Sequence, residues 1–562
     1  MFNKKIEVVE SSYSKVFRIP HSDDVIVTQE PVRDPPFSFR KQVVQQVQKL
    51  TNYWLHLVDD RDIERVRFLF FHSAMSNTVY KISLAEPIPQ NPFSFIIRIY
   101  GTGTDASYQS LVKSREDEGD RTPPPALTPV SSKSNLYQFE NTPVEPSTEK
   151  APTISLSHSL ESFWMFLLAE QGVSPHVYGQ FGNGRIEETV FDGSPLTAAT
   201  IRQEDISRET ARQLGRLHAA TDSLRRLAIK LYREYYHNDP RLSELLNRDL
   251  NYWNVILRSF HQVAAALPAL PAFRFVELLP KVAQVEELVH RVQAAQHVFC
   301  HSDLQYGNLM ASDQPLGNRP AVILIDFEYG AFGPRGFDIA NHFFEWMCDY
   351  TAAQPHRIHS AAYPAPDQVG RFLRAYLLAA ATAASASSSC SSSAATSPLP
   401  RSPGEGMGVG LQSVFSRSVS LDEWTAADKK ADSLEATAAA VDGFLREHGE
   451  AAALELRLFT LVSDLKWAFW GVQQHQMRSL DSAAKQAEAE AVGSQLDSDD
   501  DSPPPAPPGG WLAGGEDPHQ FYLDYAAMRI GHFWDWQEAV LSAPAAAHVF
   551  PVSNFSLLLP SP

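Results

Sequence analysis

The sequence predicts an α+β fold in two lobes, and three observations carry that prediction. Strand-like segments cluster before residue 192, whereas helical periodicity dominates beyond residue 205. A polar loop with fixed spacing, bounded by short apolar runs, sits inside the helical part. Three compositionally biased stretches, 105–152, 381–440 and 484–518, interrupt an otherwise ordinary chain of 562 residues, 44% hydrophobic and 20% charged.

Taken in order, residues 40–58 place Val43, Val44, Val47, Leu50, Trp54 and Leu55 at helical spacing. The runs 67–71, 79–84 and 95–100 read as strands, the last ended by Gly101. A helix over 158–171 precedes strand-like 176–180 and 185–191. Further on, Val298-Phe299-Cys300 and Val322-Ile323-Leu324-Ile325 read as one strand pair among helices. The expected division is an N-terminal extension over 1–39, a small β-rich N-lobe over 40–192, a large helical C-lobe over 193–540, and a tail over 541–562. The three biased stretches are expected to be disordered insertions, because they offer too little periodic apolar surface to offset ordering entropy.

The formal net charge is −18, which argues against a general nucleic-acid binder and against adsorption to an anionic membrane. Most of that excess lies in the three insertions, so the remaining body is only mildly acidic. Cys300, Cys348 and Cys390 are too few and too scattered for a disulfide framework or a zinc site. The first ten residues are too charged for a signal peptide, and no run of about 18 apolar residues would span a bilayer. A cytoplasmic protein without integral membrane association is expected.

The chemistry is concentrated in His301-Ser302-Asp303-Leu304-Gln305-Tyr306-Gly307-Asn308, followed by an apolar strand ending in Asp326. Phosphoryl transfer explains these residue types: one carboxylate orients and deprotonates the attacking hydroxyl, while an amide oxygen and a second carboxylate hold Mg²⁺ against the phosphates. Asp303 is thus the candidate base, and Asn308 and Asp326 are the candidate metal ligands. Protein kinases use the same Asp-to-Asn spacing.

The continuation, Asp326-Phe327-Glu328-Tyr329 and Arg335-Gly336-Phe337-Asp338-Ile339-Ala340-Asn341-His342-Phe343-Phe344-Glu345-Trp346, resembles the choline/ethanolamine kinase family, most closely its choline kinases. Trp467-Ala468-Phe469-Trp470 is similar to the family's W-x-x-W helix, and Tyr522-Leu523-Asp524-Tyr525-Ala526-Ala527-Met528-Arg529 to its M-D-Y-A-Q-A-R helix. The resemblance runs from about residue 66 to 536 and implies a bilobal, protein-kinase-like fold. It implies transfer of the ATP γ-phosphoryl group to choline, the first step of the CDP-choline route to phosphatidylcholine, with ethanolamine as the alternative acceptor. A choline-binding pseudoenzyme is a further alternative, because the family's G-G-x-S-N turn stands here as Ser73-Ala74-Met75-Ser76-Asn77, and Ser302 replaces a common Asn. The family is commonly dimeric, so a homodimer is among the expectations.

By the same resemblance Ser76, Asn77 and Arg98 are ATP contacts, with Glu161 pairing Arg98, and residues 185–191 form a hinge strand beside adenine. Gln305 helps place the acceptor hydroxyl. Tyr329, Glu345, Tyr350, Trp467, Trp470 and Tyr525 match the choline pocket. A quaternary ammonium has no N–H, so aromatic faces and a nearby negative charge must hold it. Glu345 is expected to lie unpaired on an apolar helix until a cation compensates it. His342 and Trp346 read as structural.

Overall fold

The computed structural model describes residues 21–22, 26, 34–71, 77–86, 93–100, 156–169, 172–190, 195–222, 224–225, 252–292, 297–311, 321–392, 427–493 and 518–542. Helix α1 (Phe37–Thr51) buries Phe39, Val43, Val44, Val47 and Leu50, the stripe expected from their spacing. It stops at Thr51 rather than at 58, because Asn52 takes a left-handed φ of 57° and its N–H caps the Gln48 carbonyl. After the short α2 (Asp60–Glu64) come β2 (Arg67–Phe71), β3 (Asn77–Ser83) and β4 (Ser94–Tyr100). Helix α3 (Leu156–Ala169) leads to β5 (Val177–Phe181) and β6 (Gly184–Glu188).

These strands form one sheet in the order β1-β5-β6-β4-β3-β2, where β1 is His21–Ser22. β1 pairs parallel to β5, so part of the expected extension is built into the N-lobe sheet. The other neighbours are antiparallel. The α1 stripe packs on Ile82, Phe95, Ile97 and Phe181 to make the N-lobe core. Gly184 is required where β6 passes β4, since a Cβ there would strike the Arg98 carbonyl.

The C-lobe comprises α4 (Glu204–Ala219), α5 (Tyr252–Val263), α6 (Phe275–Val292), α7 (Arg335–Glu345), α8 (Pro366–Ser392), α9 (Ala427–Gly493) and α10 (Pro518–Leu541). One core joins α3, α4 and α8; a second joins α5, α6, α9 and α10. Strands β7 (His297–Cys300), β8 (Leu309–Ala311), β9 (Val322–Leu324) and β10 (Ala331–Pro334) form two small hairpin-like pairs.

Two expectations are corrected here. Segments 298–300 and 322–325 do not pair with each other: β7 pairs with β10, and β9 with β8. Two short, fully buried apolar runs carry no alternation by which to specify partners. The insertions are also shorter than read, because 381–392 continue α8, while 427–440 and 484–493 belong to α9. Their alanine content favours helix where apolar periodicity is weak. The rest of those stretches, all of 105–152, and the 541–562 tail beyond residue 542 lie outside the described residues. Among the described residues no helix is long and apolar enough to cross a membrane.

Candidate active site

Strand β7 delivers the loop that begins at His301, and α7 holds it from behind. Asp338, in the first turn of α7, accepts the His301 and Ser302 amides at 2.7 Å each. The His218 ring lies 3.2 Å from the same carboxylate and 2.8 Å from the Tyr376 hydroxyl. Burial works to raise Asp338, but the His218 ring and the His301 amide outweigh it and hold the group below the usual carboxylate range. His301 donates through Nε2 to the Ile325 carbonyl at 2.9 Å, and its Nδ1 accepts the Asp303 amide at 3.3 Å. Ser302 and Asp326 both occupy the left-handed region, at φ 69° and 67°. Two such residues in one small loop system mark a backbone held by its surroundings.

Asp303, Asn308 and Asp326 come together as the spacing requires. The Asn308 amide donates to the Asp303 carboxylate at 2.9 Å and to its carbonyl at 2.8 Å. Burial pushes the Asp303 carboxyl up, with His301 and Lys466 pulling it partly back. One Asp326 oxygen accepts from Arg98 Nη1 at 3.3 Å across the two lobes; the other is buried with no hydrogen-bond partner. A buried carboxylate oxygen without a donor, beside an amide side chain, suits a hard oxygen-seeking cation.

Arg98 is where expected on β4, but its partner is not Glu161. Glu161 on α3 accepts a two-pronged pair from Arg185 at 2.5 and 2.7 Å. Arg185 also reaches Glu187 at 2.6 Å, and Glu187 in turn accepts from Arg98 at 3.1 Å. The cross-strand register places Arg185 of β6 directly opposite Arg98 of β4, between Arg98 and the helix. Burial pulls the Arg98 guanidinium down, but Asp326 and Glu187 more than reverse this. The Ser73–Ser76 turn lies outside the described residues, as does the Asn77 side chain.

The predicted pocket residues form a continuous wall of rings. Tyr329 meets Trp467 at 5.3 Å, Trp467 meets Trp470 at 5.4 Å, Trp470 meets Tyr525 at 5.9 Å, and Tyr525 meets Tyr350 at 6.4 Å. Trp467 is fixed by an indole N–H bond to Asn341 at 2.8 Å. Glu345 is not unpaired, as the sequence suggested: Tyr350 donates to it at 2.9 Å, and Arg529 from α10 lies 3.9 Å away. Burial nevertheless outweighs Arg529 and pushes its carboxyl up to about 7. Gln305 lies partly buried in the same loop as Asp303. His342 bonds the Leu304 carbonyl at 3.0 Å and accepts the Trp346 indole at 3.3 Å, which ties both residues into the loop's support.

Sequence reasoning missed Arg185 and Glu187, which the alternation of a buried strand would have hidden in the core. It also missed Tyr306, whose hydroxyl accepts the Tyr350 amide at 2.8 Å, and Tyr522, whose ring meets Trp470 edge-on at 5.7 Å. Lys466 was the larger omission, although it stands immediately before Trp467. Its ammonium lies 4.4 Å from the Trp467 ring centre and donates to the Ser302 carbonyl at 3.3 Å. The assembled groups offer two carboxylates, an amide oxygen, a guanidinium and an aromatic wall backed by a further carboxylate.

Comparison with known protein sequences finds the same family. The family described as choline/ethanolamine kinase matches residues 153–491. A probable choline kinase of Arabidopsis thaliana is 23% identical over 351 residues, covering 62% of this chain and 78% of that protein. Choline kinase alpha of Mus musculus is 31% identical over 221 residues, covering 39% of this chain and 45% of the mouse protein. The chain thus spans less than half of that curated relative. Choline kinase from Cryptosporidium parvum Iowa II aligns in structure with a TM-score of 0.47 and 16% identity, over 90% of this chain and 99% of that one.

Proposed function

Because the chain belongs to the choline/ethanolamine kinase family, we propose that it transfers the γ-phosphoryl group of ATP to the hydroxyl of choline, giving phosphocholine and ADP. The choline oxygen bonds to the γ-phosphorus as the bond to the β–γ bridging oxygen breaks, and the hydroxyl proton passes to Asp303. The Asn308 amide fixes one Asp303 oxygen, so the other is left to orient the hydroxyl. Asn308 and Asp326 are the residues that would hold Mg²⁺, which when bound neutralises charge on the phosphates. Arg98 supplies a second cation at the same place. Val190, Ile323 and Met310 make a small apolar cluster beside β6 that is suited to the adenine ring.

The observation that carries the choline reading is the ring wall with Glu345 behind it. Five aromatic faces and one buried carboxylate are what a cation without N–H groups needs. The deciding experiment measures initial rates on choline and on ethanolamine with Mg²⁺·ATP. Choline is expected to be the better acceptor by kcat/KM; a clear preference for ethanolamine would replace choline in this reading, and no phosphorylation of either would end it in favour of a non-catalytic binding protein.

A further inference from the structure

We propose that Lys466 is an internal cation that competes with the substrate ammonium for the aromatic wall, and so sets the affinity for cationic alcohols. The proposal deepens the choline reading and rests on it. The Lys466 ammonium lies 4.4 Å from the Trp467 ring centre and 5.3 Å from that of Tyr329, two adjoining members of the wall. The Phe337 ring is 5.0 Å away, and the Ser302 carbonyl holds the ammonium at 3.3 Å, on the side of the base Asp303. A Lys at this point on α9 therefore presents to those two rings the kind of charge that the substrate brings. A substrate cation entering the pocket meets like charge and rings already engaged.

Titration separates Lys466 from its neighbours. Facing it are Asp303 from the catalytic loop, Asp338 from α7, Cys300 from β7 and Arg529 from α10, with Asp326 and Glu345 further along the site. Burial lowers Lys466 to about 8 against the pull of Asp303 and Asp338. Glu345 ionises at about 7, which strengthens cation binding first. Lys466 then loses its charge, which removes the competitor. Affinity for a cation should therefore keep rising above pH 8, where Glu345 is almost wholly ionised and Lys466 is still losing its charge.

The test uses the full chain and two probes, choline and tetramethylammonium, with binding followed by tryptophan fluorescence between pH 6.5 and 9 as an order-setting range. Lys466→Met keeps the stem and removes the charge. It is expected to bind both probes about fivefold more tightly at pH 7 and to show a nearly flat profile above pH 8, while Lys466→Arg keeps weak binding at all pH values. In steady-state kinetics KM for choline should fall with less change in kcat. Equal or weaker binding by Lys466→Met, or a kcat loss at unchanged KM, overturns the proposal. If Lys466→Met fails to fold, the wild-type profile still decides: no rise above pH 8 overturns it. If choline is phosphorylated with the same KM and pH profile by both proteins, the inference fails and the choline reading stands. If choline is not phosphorylated but tetramethylammonium still binds more tightly to Lys466→Met, the choline reading fails and only the competition between Lys466 and a bound cation stands.

Discussion

Asp303 must be ionised to take a proton, yet burial biases it toward the acid form, and His301 and Lys466 only partly offset that bias. Replacing it with Asn keeps the shape and removes the base. Asp303→Asn is expected to lower kcat by about 10²–10⁴ with choline and ATP binding largely retained, measured by steady-state kinetics and calorimetry. Trp470 sits in the middle of the ring wall, between Trp467, Tyr522 and Tyr525. Trp470→Ala should raise KM for choline about tenfold, with kcat little changed; an unmoved KM would remove the wall from the binding site. Glu345 is raised to about 7, so it is negative above that pH and neutral below it. Choline binding should accordingly weaken as pH falls from 7 to 6, and Glu345→Gln should remove that acid limb. At pH near 7, choline binding should also release a proton, visible as a dependence of calorimetric heat on the buffer's ionisation enthalpy.

At the level of elements, the N-lobe sheet and α3 are joined by a buried ladder of alternating charge: Glu161, Arg185, Glu187 and Arg98. All four side chains are removed from solvent. Removing one member strands the others, at a cost of about 3–5 kcal/mol, so Glu161→Ala should lower the melting temperature markedly by calorimetry. Replacing both Glu161 and Arg185 by apolar residues of similar size should recover much of that loss. This ladder was only half legible in the sequence. Arg98 and Glu161 stand in recognisable motifs, and their alignment suggested a direct pair. The sheet register that interposes Arg185 arises from β4–β6 pairing, which no local pattern encodes. The catalytic loop was the most legible part, since His301, Asp303, Asn308 and Asp326 lie close in sequence and their spacing is imposed by the chemistry. Lys466 was hidden because a charge on a helix reads as a solvated face. Only the packing of α9 against α7, with the Ser302 carbonyl of the catalytic loop within reach, turns it inward. The strand partners of β7 and β9 were misread for the related reason that short buried runs are interchangeable until the loops between them are placed.

For the whole molecule, the two lobes meet at the site through Arg98 of the sheet and Asp326 of the C-lobe. Mg²⁺·ATP bound between them should stabilise the native state by mass action. The melting temperature is expected to rise with Mg²⁺·ATP, and excess EDTA should abolish most of the shift; an equal shift with metal-free ATP would argue against Asn308 and Asp326 as metal ligands. Helix α9 is the other molecule-wide feature. Its 67 residues would extend about 100 Å at 1.5 Å per residue, and its central part carries Lys466, Trp467 and Trp470. The Arg98–Asp326 contact also has a consequence for the order of events. In the resting protein the metal-seeking carboxylate is already charge-balanced by a guanidinium. A bare divalent ion arriving alone would have to share Asp326 with that guanidinium, a like charge that Glu187 balances only in part. A nucleotide that brings its own metal exchanges partners instead, with the ion going to Asp326 and a phosphate oxygen going to Arg98. A preference for the metal–nucleotide complex over the free ion is expected from that one interlobe contact.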